Sequence, residues 1–139
     1  MSDSRRSPID PIVSRQGAGH WAAAREGRLA LQHCDDCGAF VFYPSFVCDQ
    51  CVSTNLSWQD VPGHGTVESH TTVYRAFAEE FAPDVPYTVA LVRLDEGVNL
   101  LTWLIGVDPE DARIGMEVEV VFERKSDTIS LHRFRPVSA

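Results

Sequence analysis

The chain has 139 residues, 44% of them apolar and 23% charged, which suits one ordinary domain or two very small ones and excludes wholesale disorder. Twelve Lys and Arg against twenty Asp and Glu give a net charge of −8, concentrated in residues 59–139. That is the wrong sign for tracking a phosphate backbone, and no apolar run approaches the ~20 residues of a membrane helix, so neither nucleic acid nor a membrane is an expected partner.

Residues 1–15 hold Pro8 and Pro11 without periodicity and read as a flexible arm. Arg5 and Arg6 have no apolar run behind them, so the arm is not a secretory signal and the expected compartment is the cytoplasm. Residues 16–29 carry an N-terminal helix. Its run Trp21-Ala22-Ala23-Ala24-Arg25-Glu26-Gly27 is rich in helix formers, which predicts a helix over His20–Arg28 with Gly27 as its stop. Trp21, Ala24 and Arg28 then share one face. So short a helix is marginal alone, and two docking sites are open to it: the rest of this chain or a partner subunit.

All four cysteines follow within eighteen residues, as Cys34-Asp35-Asp36-Cys37 and Cys48-Asp49-Gln50-Cys51 with ten residues between the pairs. Two residues between thiolates let both sulfurs of a tight turn face one ion, and two such turns complete a closed tetrahedral site. Nothing signals export, which disfavours disulfides, and two C-x2-C pairs outside a βαβ pattern are not a thioredoxin-type redox pair. Zinc is the expected metal. Iron is the alternative and would give a coloured protein. With four protein thiolates no position is left for water or substrate, so the metal is structural. Residues 30–60 are thus a metal-binding piece, with Leu31, Phe40, Phe42, Phe46 and Trp58 as its main apolar residues. Metal ligation, worth ~10–16 kcal/mol in model fingers, can fold such a piece where burial cannot. Gly38 follows the first pair and relieves knuckle crowding, whereas Val52 stands in that place after the second.

Pro62-Gly63-His64-Gly65 marks a boundary, and residues 61–139 beyond it read as strands. Strands are expected at Thr66–Tyr74, Tyr87–Leu94 and Leu100–Val107, the last two forming a hairpin about Asp95-Glu96-Gly97. One helical turn over Asp108–Arg113 precedes strands at Met116–Phe122 and Thr128–Phe134. Five strands with a short helical element between the third and fourth match the OB-fold, a small Greek-key barrel, although spacing alone leaves an SH3-like barrel or a meander open. The loop Arg75–Pro86 joins the first two strands. Phe77 and Phe81 share a face if that loop is helical, either to pack over one barrel end or to touch a partner or an acyl chain. Trp103 in the third strand carries the same choice.

These motifs resemble a known family. The stretch Arg25-Glu26-Gly27-Arg28-Leu29, the knuckle Cys34–Gly38, Phe42-Tyr43-Pro44, Gly63-His64-Gly65-Thr66-Val67, Pro86–Val92, Leu94–Gly97, Ile114–Val118 and Phe134-Arg135-Pro136 occur in the order found in the acyl-CoA-associated OB-fold family with an N-terminal rubredoxin-like zinc ribbon. The resemblance covers about residues 20–137. It implies a mainly β fold with an N-terminal helix, a zinc ribbon and a five-stranded OB-fold barrel. It further implies an accessory subunit of thiolase-like enzymes, or of hot-dog hydratases, in lipid and steroid side-chain metabolism. The second knuckle departs from the family, which commonly has proline after its first cysteine and glycine after its second.

No catalytic constellation is expected. The thiols belong to the metal; His33 abuts Cys34 and could replace a cysteine as ligand, His64 sits in a glycine turn, and His20, His70 and His132 read as ordinary surface or core residues. Glu79 and Glu80 are adjacent, so they diverge. The expected function is a non-catalytic scaffold in a hetero-oligomer, with Cys34, Cys37, Cys48 and Cys51 on the metal and Trp21, Arg25, Arg28, Phe77, Phe81 and Trp103 as partner contacts. Direct acyl-CoA binding, with Arg75, Arg93, Arg133 and Arg135 as cations for phosphate, is the alternative, and single-stranded nucleic acid is a weaker one.

Overall fold

The computed structural model describes residues 10–137. A helix α1 (Ala18–Arg25) leads into three strands, β1 (Leu29–Cys34), β2 (Phe40–Val41) and β3 (Leu56–Val61). Five more follow: β4 (His64–Val73), β5 (Tyr87–Leu94), β6 (Asn99–Leu104), β7 (Glu117–Arg124) and β8 (Ser130–Pro136). Two 3-10 segments, Glu79–Asp84 and Pro109–Asp111, lie before β5 and before β7.

The first sheet is antiparallel with β1 at its centre, in the order β2-β1-β3. The second closes into a barrel of order β4-β5-β6-β8-β7. All its pairings are antiparallel except β6 with β8, which run parallel at Trp103–Arg133 and Leu104–Phe134. One parallel pair in a closed five-stranded barrel is OB-fold topology, which removes the meander and the SH3-like barrel from consideration.

Alternation explains the interior. Thr88, Ala90, Val92 and Leu94 of β5 and Leu100, Thr102 and Leu104 of β6 are buried, and Val118 and Phe134 join them from β7 and β8. Leu29 and Leu31, two apart on β1, belong to this same cluster, and Phe40 and Phe42 pack against it. The first sheet therefore rests on the barrel through shared apolar contacts. Its own cluster is small: Cys34, Val41 and Cys48, flanked by Ala39 and Leu56. Gln32, buried on β1, exchanges two hydrogen bonds with the backbone of Ser45, at 2.8 and 2.7 Å, and so pins the chain between the knuckles.

Two glycines are fixed by close approach. A Cβ at Gly19 would stand 2.4 Å from the Trp58 ring, so only glycine lets β3 lay that indole against α1. A Cβ at Gly63 would stand 2.2 Å from Val120, and its φ of +81° is itself a glycine conformation. At that residue β3 passes into β4.

Several expectations are corrected. The helix ends at Arg25, with Glu26 and Gly27 donating back to Ala23 and Ala24, so Arg28 is not on its face. Gly27 has φ +77° and stops the helix as its sequence position indicates. Phe46 is 61% exposed and belongs to no core. Tyr74 lies outside β4 and is exposed. The turn before β7 is 3-10 and begins at Pro109, whose ring fixes φ for it. Of the arm expected over 1–15, residues 1–9 lie outside the described residues; Asp10 pairs with Lys125 at 3.7 Å and the Ser14 hydroxyl accepts from Gly17 N–H. Among the described residues no helix is long and apolar enough to cross a membrane.

A candidate metal centre and an aromatic face

Cys34 closes β1, and the four cysteine sulfurs all lie within 4.8 Å of one another. Cys34 Sγ is 3.6 Å from Cys51 Sγ, and Cys37 Sγ is 3.6 Å from Cys48 Sγ. Four sulfurs at ~2.3 Å from one ion would sit roughly 3.8 Å apart, whereas a disulfide needs about 2 Å. The four are free thiols in a cage of metal size.

The two knuckles repeat one backbone pattern. Cys34 N–H donates to Ala39 O and Cys48 N–H to Ser53 O, both at 2.8 Å. Gly38 N–H returns to Cys34 O and Val52 N–H to Cys48 O, at 2.8 and 3.0 Å. Gly38 has φ +82° and Val52 φ +64°. The second knuckle thus makes the same left-handed turn as the first, and β-branched Val52 takes a conformation that strains any residue but glycine. Backbone N–H groups of Cys37 and Gln50 approach Cys34 Sγ and Cys48 Sγ at 3.5 and 3.3 Å. The thiols titrate together: the Cys37 N–H does most to hold Cys34 down, to about 6, while against the Ser53 N–H the neighbouring Cys34 pushes Cys51 up to about 12. Donors aimed at sulfur favour thiolate, and clustered thiolates need a cation between them. The donor set therefore fits one structural metal ion.

Buttresses surround the cage. Asp36 accepts from Ser53 and Asn55 across the two knuckles, and Asp35 accepts from Ser57 on β3 at 3.0 Å. The His33 ring faces Asp35, with Nδ1 3.2 Å from its carboxylate.

A second feature lies on the outside of the barrel. Tyr87, Val89, Leu101 and Trp103 point outward from β5 and β6, where a solvated strand face would be polar. The β4–β5 loop and α1 fold over this face and leave a mostly apolar cavity of about 300 Å³. Trp21 enters its wall from α1, Phe77 and Phe81 from the loop, and Trp103 from β6. Four of the six residues expected to contact a partner are therefore brought together.

Phe77 and Phe81 do not share a helix, since Phe77 precedes the 3-10 segment; their rings nevertheless stack at 5.5 Å. The loop covers the barrel's side rather than its end. Arg25 and Arg28 do not line the cavity. Arg28 instead bridges Glu26 and Asp60, the latter on β3, and ties the helix exit to the ribbon sheet.

Sequence reasoning missed Tyr87 and His132 as parts of this face, and took Arg133 only for phosphate. Tyr87 stacks on Trp103 at 4.1 Å, and the Arg133 guanidinium lies 4.3 Å from the Trp103 ring centre. The period-2 pattern Tyr87/Val89, Leu101/Trp103 and Leu131/Arg133 was the available signal. Three of the arginines considered for phosphate have carboxylate neighbours: Arg93 with Glu68 at 3.9 Å, Arg133 with Glu123 at 2.9 Å and Arg135 with Glu119 at 3.0 Å.

A four-thiol ribbon joined to an OB-fold barrel defines the class: a two-part zinc-ribbon/OB-fold protein. Residues 21–57 match the family model described as the ChsH2 rubredoxin-like zinc ribbon domain, and residues 58–123 match that of the ChsH2 C-terminal OB-fold domain. A DUF35 domain-containing scaffold protein of Pyrococcus furiosus is 33% identical over 129 residues, covering 88% of this chain and 93% of the relative. The chain belongs to this ChsH2-type DUF35 family. A protein of Thermomonospora curvata named "Probable enoyl-CoA hydratase alpha subunit" is 32% identical over 126 residues, covering 91% of this chain, which spans only 39% of that relative's length. A solved chain of the Ltp2-ChsH2(DUF35) aldolase is 32% identical, with a TM-score of 0.83 over 91% of this chain and 98% of that one.

Proposed function

We propose that this chain is a non-catalytic accessory subunit of an acyl-CoA enzyme, docking a thiolase-like partner, with a hot-dog hydratase as the other candidate. The carrying observation is the convergence of Trp21, Phe77, Phe81 and Trp103, from three separate segments, around one cavity whose rim residue Phe77 is 82% exposed. A contiguous exposed apolar patch, unlike single exposed residues, marks an interaction surface, and clustered aromatics are the usual anchors of a protein interface. The names of relatives support the same reading: scaffold protein, hydratase alpha subunit and aldolase complex.

In this reading the helix at 16–29, the ribbon at 30–60 and the barrel at 61–139 form one platform. Cys34, Cys37, Cys48 and Cys51 hold Zn²⁺, which supplies rigidity and no chemistry. Arg25 and Arg28 act at the edge of the interface, Arg28 by fixing the helix exit. The test is coexpression with a thiolase-like enzyme of the same organism. The expected result is a stable complex that F77A/F81A weakens about a hundredfold, as the loss of two aromatic anchors should. Absence of a complex with the wild-type chain, or full binding by the variant, overturns the proposal.

The cavity favours a second reading, in which an acyl chain fills it directly. Titration with acyl-CoA separates the two, because heat of binding without any partner enzyme supports only the second.

A further inference from the structure

His20 and His132 lie far apart in sequence and meet where α1 crosses β8, their ring centres 5.8 Å apart. His20 is 5% exposed, between the edges of Trp21 and Phe42. Its ring is bonded to the Ala30 backbone on β1, and its Nδ1 is buried without a partner. The Thr102 hydroxyl on β6 lies 3.1 Å from both His132 O and His132 Nδ1. If the hydroxyl donates to the carbonyl, Nδ1–H must donate to the hydroxyl, so Nε2 is the bare nitrogen of the neutral ring and takes any added proton.

We propose that the His20–His132 contact is a pH-sensitive clasp, holding α1 on the barrel only while both rings are neutral. Protonating His20 at Nδ1 would bury a donor with no acceptor, and charging both rings would set two cations against each other. Among the described residues, the ionisable groups facing the pair offer no relief. From α1 and β8 they are the two rings themselves, and from β8 also Arg133, a third cation already committed to Glu123. β1 presents the Ala30 backbone, β6 the Thr102 hydroxyl and the chain after β2 the Phe42 ring.

The direction of titration agrees. Burial lowers His20, with the Ala30 bond partly opposing; burial, then His20 and Arg133, bring His132 down to about 3. Both folded values lie below the unfolded value of about 6.5, so the docking energy is whole at neutral pH and lost as pH falls below it. Release would carry Trp21 out of the cavity wall. The clasp is a property of the chain alone and needs no partner enzyme.

Hydrogen exchange of the zinc-loaded full chain tests this, with bound zinc measured at each pH because acid also protonates the cysteines. Between pH 7.5 and 5.5, protection of the Ala23 and Ala24 amides should fall relative to Val92 and Leu100. The fall should be about tenfold if one ring charges on release and about a hundredfold if both do. The double variant H20Q/H132Q should show no such fall while zinc stays bound. Constant relative protection in the wild type, or an unchanged fall in the zinc-loaded variant, overturns the clasp. Should that variant not fold, carbon NMR titration of the wild-type rings decides: midpoints near 6.5 for both overturn it, and midpoints well below support it.

Discussion

The ribbon and the barrel are held together by different means. The barrel buries Val67, Ala90, Val92, Leu94, Leu100, Val118 and Phe134 around one centre, and its sheet closes on itself. The ribbon's own cluster contains two cysteines and one valine. A core of the first kind depends only on sequence and solvent. One of the second kind lasts only while its thiolates hold a cation. The chain thus joins an unconditional scaffold to a conditional one, and β1, with Leu29 and Leu31 in the barrel's cluster, belongs to both.

Metal removal should break this comparison most sharply. Chelation, or Cys48→Ser, should remove most of the ~10–16 kcal/mol that ligation contributes in model fingers. Amide NMR signals of residues 35–55 should collapse to unfolded positions while those of β4 to β8 persist. Simultaneous loss of both sets would show that the barrel also depends on the ion.

Leu31→Ala tests the shared strand. The side chain is fully buried, so the cost should be about 2–5 kcal/mol, read as a shift in denaturant midpoint. Because it touches the shared cluster, the variant should lower barrel stability and metal retention together. An effect on one alone would mean that the two parts unfold independently.

Val52→Gly is the smallest change and sharpens the contrast between the knuckles. Relief of φ +64° should outweigh the added unfolded-state entropy and stabilise the ribbon by up to about 1 kcal/mol. Competition with a chromophoric chelator should show tighter metal retention, and weaker retention would mean that the isopropyl group contributes packing.

What could be read from the sequence follows the range of the forces involved. The convergence of the four cysteines was legible because two residues between cysteines is a local rule of metal geometry. The five barrel strands were legible because runs of β-branched and aromatic residues stand between turn residues, and burial alternates cleanly along β5 and β6. The stop at Gly27 was read correctly, yet Arg28 was still placed on the helix face, because counting by 3.6 ignores where the helix has ended. Phe77 and Phe81 were paired for a reason the fold does not use: stacking, not helical spacing, brings them together. Tyr87, the cavity role of Arg133 and the meeting of His20 with His132 depend on which strands become neighbours, and local pattern carries none of that.

The passage at Pro62-Gly63 has a mechanical consequence. With Gly63 seated against Val120, and Val120 N–H donating to Gly63 O at 2.8 Å, the ribbon is welded to the barrel rather than tethered to it. A load applied at the knuckles is transmitted into β7 as torque instead of being absorbed by a swivel, so whatever grips one end of the molecule fixes the bearing of the other.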